Sequence, residues 1–172
     1  MEIKIKPGGL NMESELIGLY KDIAENRNGI IRIKDDIDKD YVFGFLTRSI
    51  NKGLIIVAVI NDKIVGEIHA YTPDIYAFQH LLTDLTIVVD PKFQGKGIGR
   101  QLFEEFLRIV KENFHHILRL ELYVREHNTQ NVKFYESLGF INEGRQKHKI
   151  YKSKSEFETP LHMAWFNPDY KG

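Results

Sequence analysis

The segment Ile87-Val88-Val89-Asp90-Pro91-Lys92-Phe93-Gln94-Gly95-Lys96-Gly97-Ile98-Gly99-Arg100 limits what this chain can fold into more sharply than any other part of it. An apolar, β-branched run enters a glycine-rich turn, which opens directly into a helix whose apolar residues recur at helical spacing. That helix is read over Ile98 to Glu112, with Ile98, Leu102, Phe106, Ile109 and Val110 as its buried stripe. The first N–H groups of a helix have no intrahelical acceptor and carry partial positive charge, so they suit a phosphate. Glycines let the backbone approach an anion without side-chain obstruction. Lys96 and Arg100 add formal positive charge. A nucleotide-triphosphate loop requires Ser or Thr after Gly-Lys, but Gly97 follows Lys96. A dinucleotide fingerprint counted from Gly95 requires glycine where Arg100 stands. Neither pattern fits.

Around this segment the periodicities alternate between strand and helix. Residues 2–6 alternate like a short strand, while Glu13 to Asn26 and Ile37 to Asn51 carry helical spacing. Leu54 to Ile60 and Lys63 to Tyr71 read as a hairpin closed by Asn61-Asp62. Leu81 to Val89 is a strand with Leu85, Ile87 and Val89 on one face and Asp84, Thr86 and Val88 on the other. Ile117 to Val124 is a strand, and Asn128 to Leu138 a helix ended by Gly139. Phe140 to Gly144 and Phe157 to Phe166 are two further strands, joined by the polar segment Gln146 to Glu156. This order predicts an α/β chain with a mixed sheet. No linker or repeat divides it, so residues 1–172 are expected to form one domain.

The loop matches Gln/Arg-x-x-Gly-x-Gly/Ala, as Gln94-Gly95-Lys96-Gly97-Ile98-Gly99. A second block follows: Leu122-Tyr123-Val124-Arg125-Glu126-His127-Asn128, then Phe134-Tyr135-Glu136-Ser137-Leu138-Gly139-Phe140. Over residues 54–144 the sequence resembles the GNAT superfamily of acetyl-coenzyme A-dependent N-acetyltransferases. Asn128, Tyr135 and Gly139-Phe140 fall on the matching positions, whereas Asn131 departs from the small residue common there. The resemblance implies a mostly antiparallel sheet of about seven strands with one splayed pair, flanked by about four helices. It implies acetyl-coenzyme A as co-substrate, held by Gln94, Gly95, Lys96, Gly97, Ile98, Gly99 and Arg100, with Asn128 as a further contact. The matching strand, Ile87, Val88 and Val89, offers backbone groups that pair with pantetheine and orient the thioester carbonyl.

The chemistry asks for an acid and a base. Expulsion of coenzyme A thiolate benefits from a proton donor, and a phenol with an ordinary pKa of about 10 remains protonated at neutral pH. Tyr135 fits that role, although sharing a helical face with Val132 and Leu138 also suits a core tyrosine. Asn128 equally suits a helix N-cap. The attacking amine must lose a proton, for which Asp84 is the candidate base and Glu67 the rival, with ordered water able to replace either. The acceptor is an amine of unidentified kind. A non-catalytic acyl-coenzyme A sensor and an acyltransferase for longer chains are the competing readings.

Composition removes other classes. The chain has no cysteine, so thiolate metal sites, disulfides and cysteine nucleophiles are excluded. The seven histidines show no spaced ligand set, and no metal is expected. Lysine plus arginine equals aspartate plus glutamate, 24 against 24, which leaves no broad footprint for nucleic acid and admits at most a local basic patch for an anion. The basic run Lys147, His148, Lys149, Lys152 and Lys154 is read as a solvated hairpin, and Glu104 with Arg108 as a helix surface pair. The N-terminus from Met1 to Lys6 lacks a signal-peptide core, and no window reaches the roughly 18 apolar residues of a membrane span. A cytoplasmic location without membrane association is the default expectation, and a homodimer stays open.

Overall fold

The computed structural model describes residues 2–26 and 29–172; Met1, Arg27 and Asn28 lie outside the described residues. In chain order the elements are β1 (Lys4–Pro7), α1 (Glu13–Ala24), α2 (Lys39–Lys52), β2 (Gly53–Ile60), β3 (Lys63–Tyr71), β4 (Leu81–Val89), α3 (Ile98–Asn113), β5 (Arg119–Arg125), α4 (Thr129–Ser137), β6 (Ile141–Arg145), β7 (Ile150–Ser153), β8 (Glu156–Glu158) and β9 (Pro160–Phe166). Seven strands share one sheet in the order β1-β2-β3-β4-β5-β9-β6, and β7 with β8 form a separate two-stranded sheet. The β1–β2, β2–β3, β5–β9 and β6–β9 ladders are antiparallel. The β4–β5 ladder is parallel, with register pairs Leu81↔Arg119 and Leu82↔Leu120 at the starts of both strands. The mixed sheet expected from the element order, mostly antiparallel as the resemblance implies, is therefore present.

Local chemistry accounts for the boundaries. Asn61 and Asp62 both have positive φ, 48° and 60°, the conformation that a tight β2–β3 turn requires. Asp38 accepts a hydrogen bond from the Tyr41 N–H at 2.8 Å, so it caps α2 and shifts the helix start from Ile37 to Lys39. Ile117 is not yet strand: its N–H donates to Phe114 O at 2.9 Å in a turn, and β5 begins at Arg119. The expected strand Phe157 to Phe166 is two strands, β8 and β9, with Pro160 opening the second; proline has no N–H for a ladder. The segment Gln146 to Glu156, read as connection, supplies β7, the partner of β8.

The residues group into two compact units, one running to Thr72 and including Thr86–Ile109, the other comprising Pro73–Leu85 and Val110–Gly172. In the first, Leu16, Tyr20 and Ile23 of α1 meet Val42, Phe45 and Leu46 of α2 over Ile55, Val57 and Ile64 of the sheet. The opposite side of β3 receives α3. A Cβ on Gly66 would lie 2.9 Å from Leu102 Cδ1 and 3.1 Å from the Val88 carbonyl oxygen, so the absence of a side chain there permits that close approach. The buried stripe of α3 is Ile98, Leu102, Phe103, Phe106, Leu107 and Val110. It is wider than the expected stripe, and Ile109 at its edge is half-buried. On its exposed side Glu104 meets Arg100 at 3.2 Å and Arg108 closes on Glu105 at 2.6 Å.

In the second unit β5 alternates cleanly, with Leu120, Leu122 and Val124 buried and Arg119, Glu121, Tyr123 and Arg125 half-buried. The end of α4 is closed by a Schellman motif. The Phe140 N–H donates to Tyr135 O at 3.1 Å and the Gly139 N–H to Glu136 O at 3.0 Å, with Gly139 at φ 93°. The hydrophobic contact that accompanies such a cap is made by the rings of Tyr135 and Phe140, 5.9 Å apart. The Gly-Phe pair after the helix thus seats Tyr135.

Candidate active site

Asp90 anchors the glycine turn. Its N–H donates to Val65 O at 2.8 Å, and its carboxylate accepts from the Lys92 N–H at 2.9 Å and from Lys63 Nζ at 3.2 Å. Burial alone would raise its pKa; the Lys92 N–H and the Lys63 ammonium outweigh burial and hold the carboxyl below its ordinary value. Pro91 then starts a single 3-10 turn through Phe93, and Gln94 returns to the strand by donating to Val89 O at 3.0 Å. The expected cradle residues follow without interruption.

Gly95 and Gly97 have φ of 72° and 79°, a region that glycine enters at little cost. A Cβ on Gly95 would meet nothing within 4 Å, and one on Gly97 only Gln101 Nε2 at 3.9 Å. Open space therefore fronts both residues, as a phosphate approaching the backbone requires. The helical ladder closes first at Gln101 N–H to Gly97 O, 3.1 Å, which leaves the N–H groups of Ile98, Gly99 and Arg100 ahead of it. Gly99 packs on β4: a Cβ there would make ordinary contact with Val89 Cγ2 at 3.8 Å and Ile87 Cδ1 at 4.0 Å. Ile87 and Val89 face the helix start, and Val88 points into the α1–α2 core. Lys96 and Arg100 are both tethered. Lys96 donates to Lys92 O at 3.1 Å and lies 4.9 Å from the Phe93 ring centroid, and Arg100 holds Glu104.

The two candidate bases occupy opposite environments. Asp84 is exposed, and its backbone has φ 53°, a left-handed conformation that interrupts the regular strand there. Glu67 is fully buried, with both carboxylate oxygens engaged. Oε2 accepts from the Tyr20 hydroxyl at 2.5 Å, and Oε1 lies 3.0 Å from His69 Nδ1. The His69 ring stacks on Phe45, centroids 4.2 Å apart and 2° from parallel. Tyr20 is pushed well above its ordinary pKa, first by burial and then by the Glu67 charge. Sequence reasoning missed this trio, although the spacing Glu67, His69, Tyr71 on one strand was its signal.

In the second unit Asn128 is the cap of α4, its Oδ1 accepting from the Asn131 N–H at 3.1 Å. Asn131 itself is exposed, so its departure from a small residue leaves packing untouched. Tyr135 is 8% exposed, and burial pushes its hydroxyl up to about 12. Thr83 donates to Glu121 at 2.9 Å on the neighbouring strand. Among the described residues no group of three or more His, Asp or Glu side chains could hold a metal, and no helix is long and apolar enough to cross a membrane.

Comparison with known proteins converges on one family. A model of the acetyltransferase (GNAT) domain matches residues 51–142. The ribosomal protein bS18-alanine N-acetyltransferase of Salmonella typhimurium is 35% identical over 82 residues, 48% of this chain and 53% of that protein. Its Escherichia coli counterpart is 34% identical over the same share. The chain thus spans about half the length of the curated relatives it matches. A GNAT-family acetyltransferase from Streptococcus pneumoniae shares the fold with a TM-score of 0.82 at 22% identity, covering 96% of this chain and 99% of that one. A GNAT phosphinothricin acetyltransferase from Sinorhizobium meliloti, solved in complex with acetyl-coenzyme A, gives 0.84 at 16% identity, covering 99% and 91%.

Proposed function

The chain belongs to the acetyltransferase (GNAT) family, and from that membership we propose that residues 1–172 act as one domain that moves the acetyl group of acetyl-coenzyme A onto a primary amine by direct attack in a ternary complex. The observation that carries this reading is the cradle, two left-handed glycines with open space in front of them at the start of α3. Acetyl-coenzyme A supplies a thioester whose C–S bond breaks as the amine nitrogen forms the new C–N bond.

The chain's own groups bind, orient and move protons. Gln94 to Arg100 hold the pyrophosphate on the N–H groups of the turn and first helical turn. Backbone groups of Ile87, Val88 and Val89 run along pantetheine and direct the thioester carbonyl, and Asn128 adds a contact from the cap of α4. Tyr135 is assigned as the donor to the departing sulfur. Its pKa of about 12 stands against about 8.5 for an ordinary thiol, so complete transfer to the thiolate is uphill by about 5 kcal/mol. Tyr135 therefore works as a hydrogen-bond donor that lowers the energy of the departing thiolate, and the thiolate takes its proton from solvent as the product leaves. Asp84 takes the amine proton, directly or through water. Glu67 is the weaker candidate, since it is fully buried and both its oxygens are already bonded, to Tyr20 and His69.

The relatives' alanine acceptor places a peptide with an N-terminal alanine first among amines to try. Coenzyme A thiol release is measured with that peptide, spermidine and free amino acids. Turnover above thioester hydrolysis with one of them is the expected result. Saturable coenzyme binding with release no faster than hydrolysis for every amine would leave a binding module.

A further inference from the structure

Hairpin β7–β8 lies outside the seven-stranded sheet and carries large side chains that no core uses. Tyr151 is 66% exposed and Phe157 46%, and they are cross-strand partners with ring centroids 5.8 Å apart. The His148 ring stands 5.6 Å from Phe157 on the same hairpin. A two-stranded hairpin is marginal by itself, and leaving its aromatic rings in water adds little to its stability.

Charge is segregated around these rings. Both acids of the hairpin are occupied: Lys152 Nζ lies 2.8 Å from Glu156 and 3.2 Å from Glu158, and Arg125 reaches Glu158 at 3.4 Å. Lys147 and Lys154 are exposed with no carboxylate partner among the described residues, and Lys149 is 3.8 Å from the Tyr123 ring centroid with its ammonium uncompensated. The neutral balance of the whole chain conceals this local excess of positive charge.

We propose that this hairpin is a docking surface for a single-stranded nucleic acid, whose bases stack on Tyr151 and Phe157 while its phosphates lie against Lys147, Lys149 and Lys154. Exposed rings interleaved with unpaired lysines suit a strand that offers both flat bases and regular negative charge. An acidic peptide would use the lysines and leave the rings in water. A duplex hides its base faces and cannot stack.

The test is fluorescence anisotropy of a fluorescein-labelled twelve-nucleotide oligouridylate with the full chain. Three phosphate contacts give a binding constant that falls about 20-fold between 50 and 200 mM salt. Tyr151→Ala should weaken binding about tenfold by removing one stacking platform. The exposed pair Lys147→Gln/Lys154→Gln should shrink that fall to about threefold, the one contact of Lys149 remaining, while thermal melting and acetyl-coenzyme A affinity stay at wild-type values. Absence of saturable binding at 50 mM salt overturns the proposal. So does oligonucleotide binding unchanged by both variants, or an oligoglutamate peptide that binds as tightly and is indifferent to Tyr151→Ala. None of these results bears on acetyl transfer, which is read separately by thiol release.

Discussion

The Tyr20 hydroxyl, on α1, donates a 2.5 Å hydrogen bond to Glu67 Oε2, on β3, with both side chains fully buried. A carboxylate withdrawn from water in this way is tolerated because each oxygen has a polar partner. Tyr20→Phe keeps the ring and leaves Oε2 without its donor, so unfolding in urea should show a loss of about 1–3 kcal/mol. Glu67→Gln should cost less when Tyr20 is already Phe, and a double-mutant cycle measures that coupling. Strict additivity would show that the short contact contributes nothing to stability.

Asp84→Asn separates the two candidate bases. Asparagine also tolerates the left-handed backbone at this position, so melting temperature should change little. If Asp84 accepts the amine proton, kcat should fall about 10²–10⁴-fold. Glu67→Gln should instead lower stability and leave turnover per folded molecule near wild type. The reverse pattern would assign the base to Glu67.

Tyr135→Phe preserves the contact with Phe140 and deletes the donor. The expected kcat loss is about 10²–10⁴-fold at unchanged coenzyme affinity. The raised pKa also has a stability consequence. Because the folded value lies near 12 and the unfolded one near 10, the wild-type contribution is fully present below pH 10 and is lost as pH rises to 12. It amounts to about 3 kcal/mol. Urea unfolding at stepped alkaline pH should show a smaller loss in Tyr135→Phe than in wild type, the remainder coming from buried Tyr20.

Gly97→Val tests the cradle. The space beside Gly97 admits a small side chain, but its φ of 79° does not suit one. The backbone penalty for a non-glycine residue there is about 1–2 kcal/mol. Acetyl-coenzyme A affinity should fall by roughly 2–4 kcal/mol through lost N–H contacts to the pyrophosphate. Calorimetry on folded variant showing wild-type affinity would remove the turn from the coenzyme site.

Asp90→Asn loosens the anchor before that turn. A depressed carboxyl pKa stabilises the fold above its ordinary value of 3.8, and the contribution is lost as pH falls through the lower folded value. Wild type and variant should therefore differ in urea stability at neutral pH and converge in acid, from about pH 4 downward. A gap that stays constant with pH would show that the Lys63 and Lys92 contacts do not act on the Asp90 charge.

Periodicity made most of the fold legible, because period-2 and period-3.6 patterns are local properties of a chain burying one face of each element. The Asn61-Asp62 turn, the α3 helix and the Gly139 stop were readable for the same reason, since left-handed backbone requirements are written in single residues. The glycine cradle was legible too, as glycine identity and helix onset suffice to describe an open row of N–H groups. What lay beyond the sequence depended on partners distant in the chain. Glu67 was legible only as a rival candidate base, and its bond to Tyr20, 47 positions away, forms only within the folded core. Tyr135 looked like a phenol with an ordinary pKa until packing removed its water. The division of the last strand at Pro160, and the separation of paired from unpaired charge on the hairpin it creates, followed from which acids Lys152 and Arg125 could reach. Local pattern determines which residues form an element, whereas burial and charge pairing arise when elements meet, and those decide what each polar group can do.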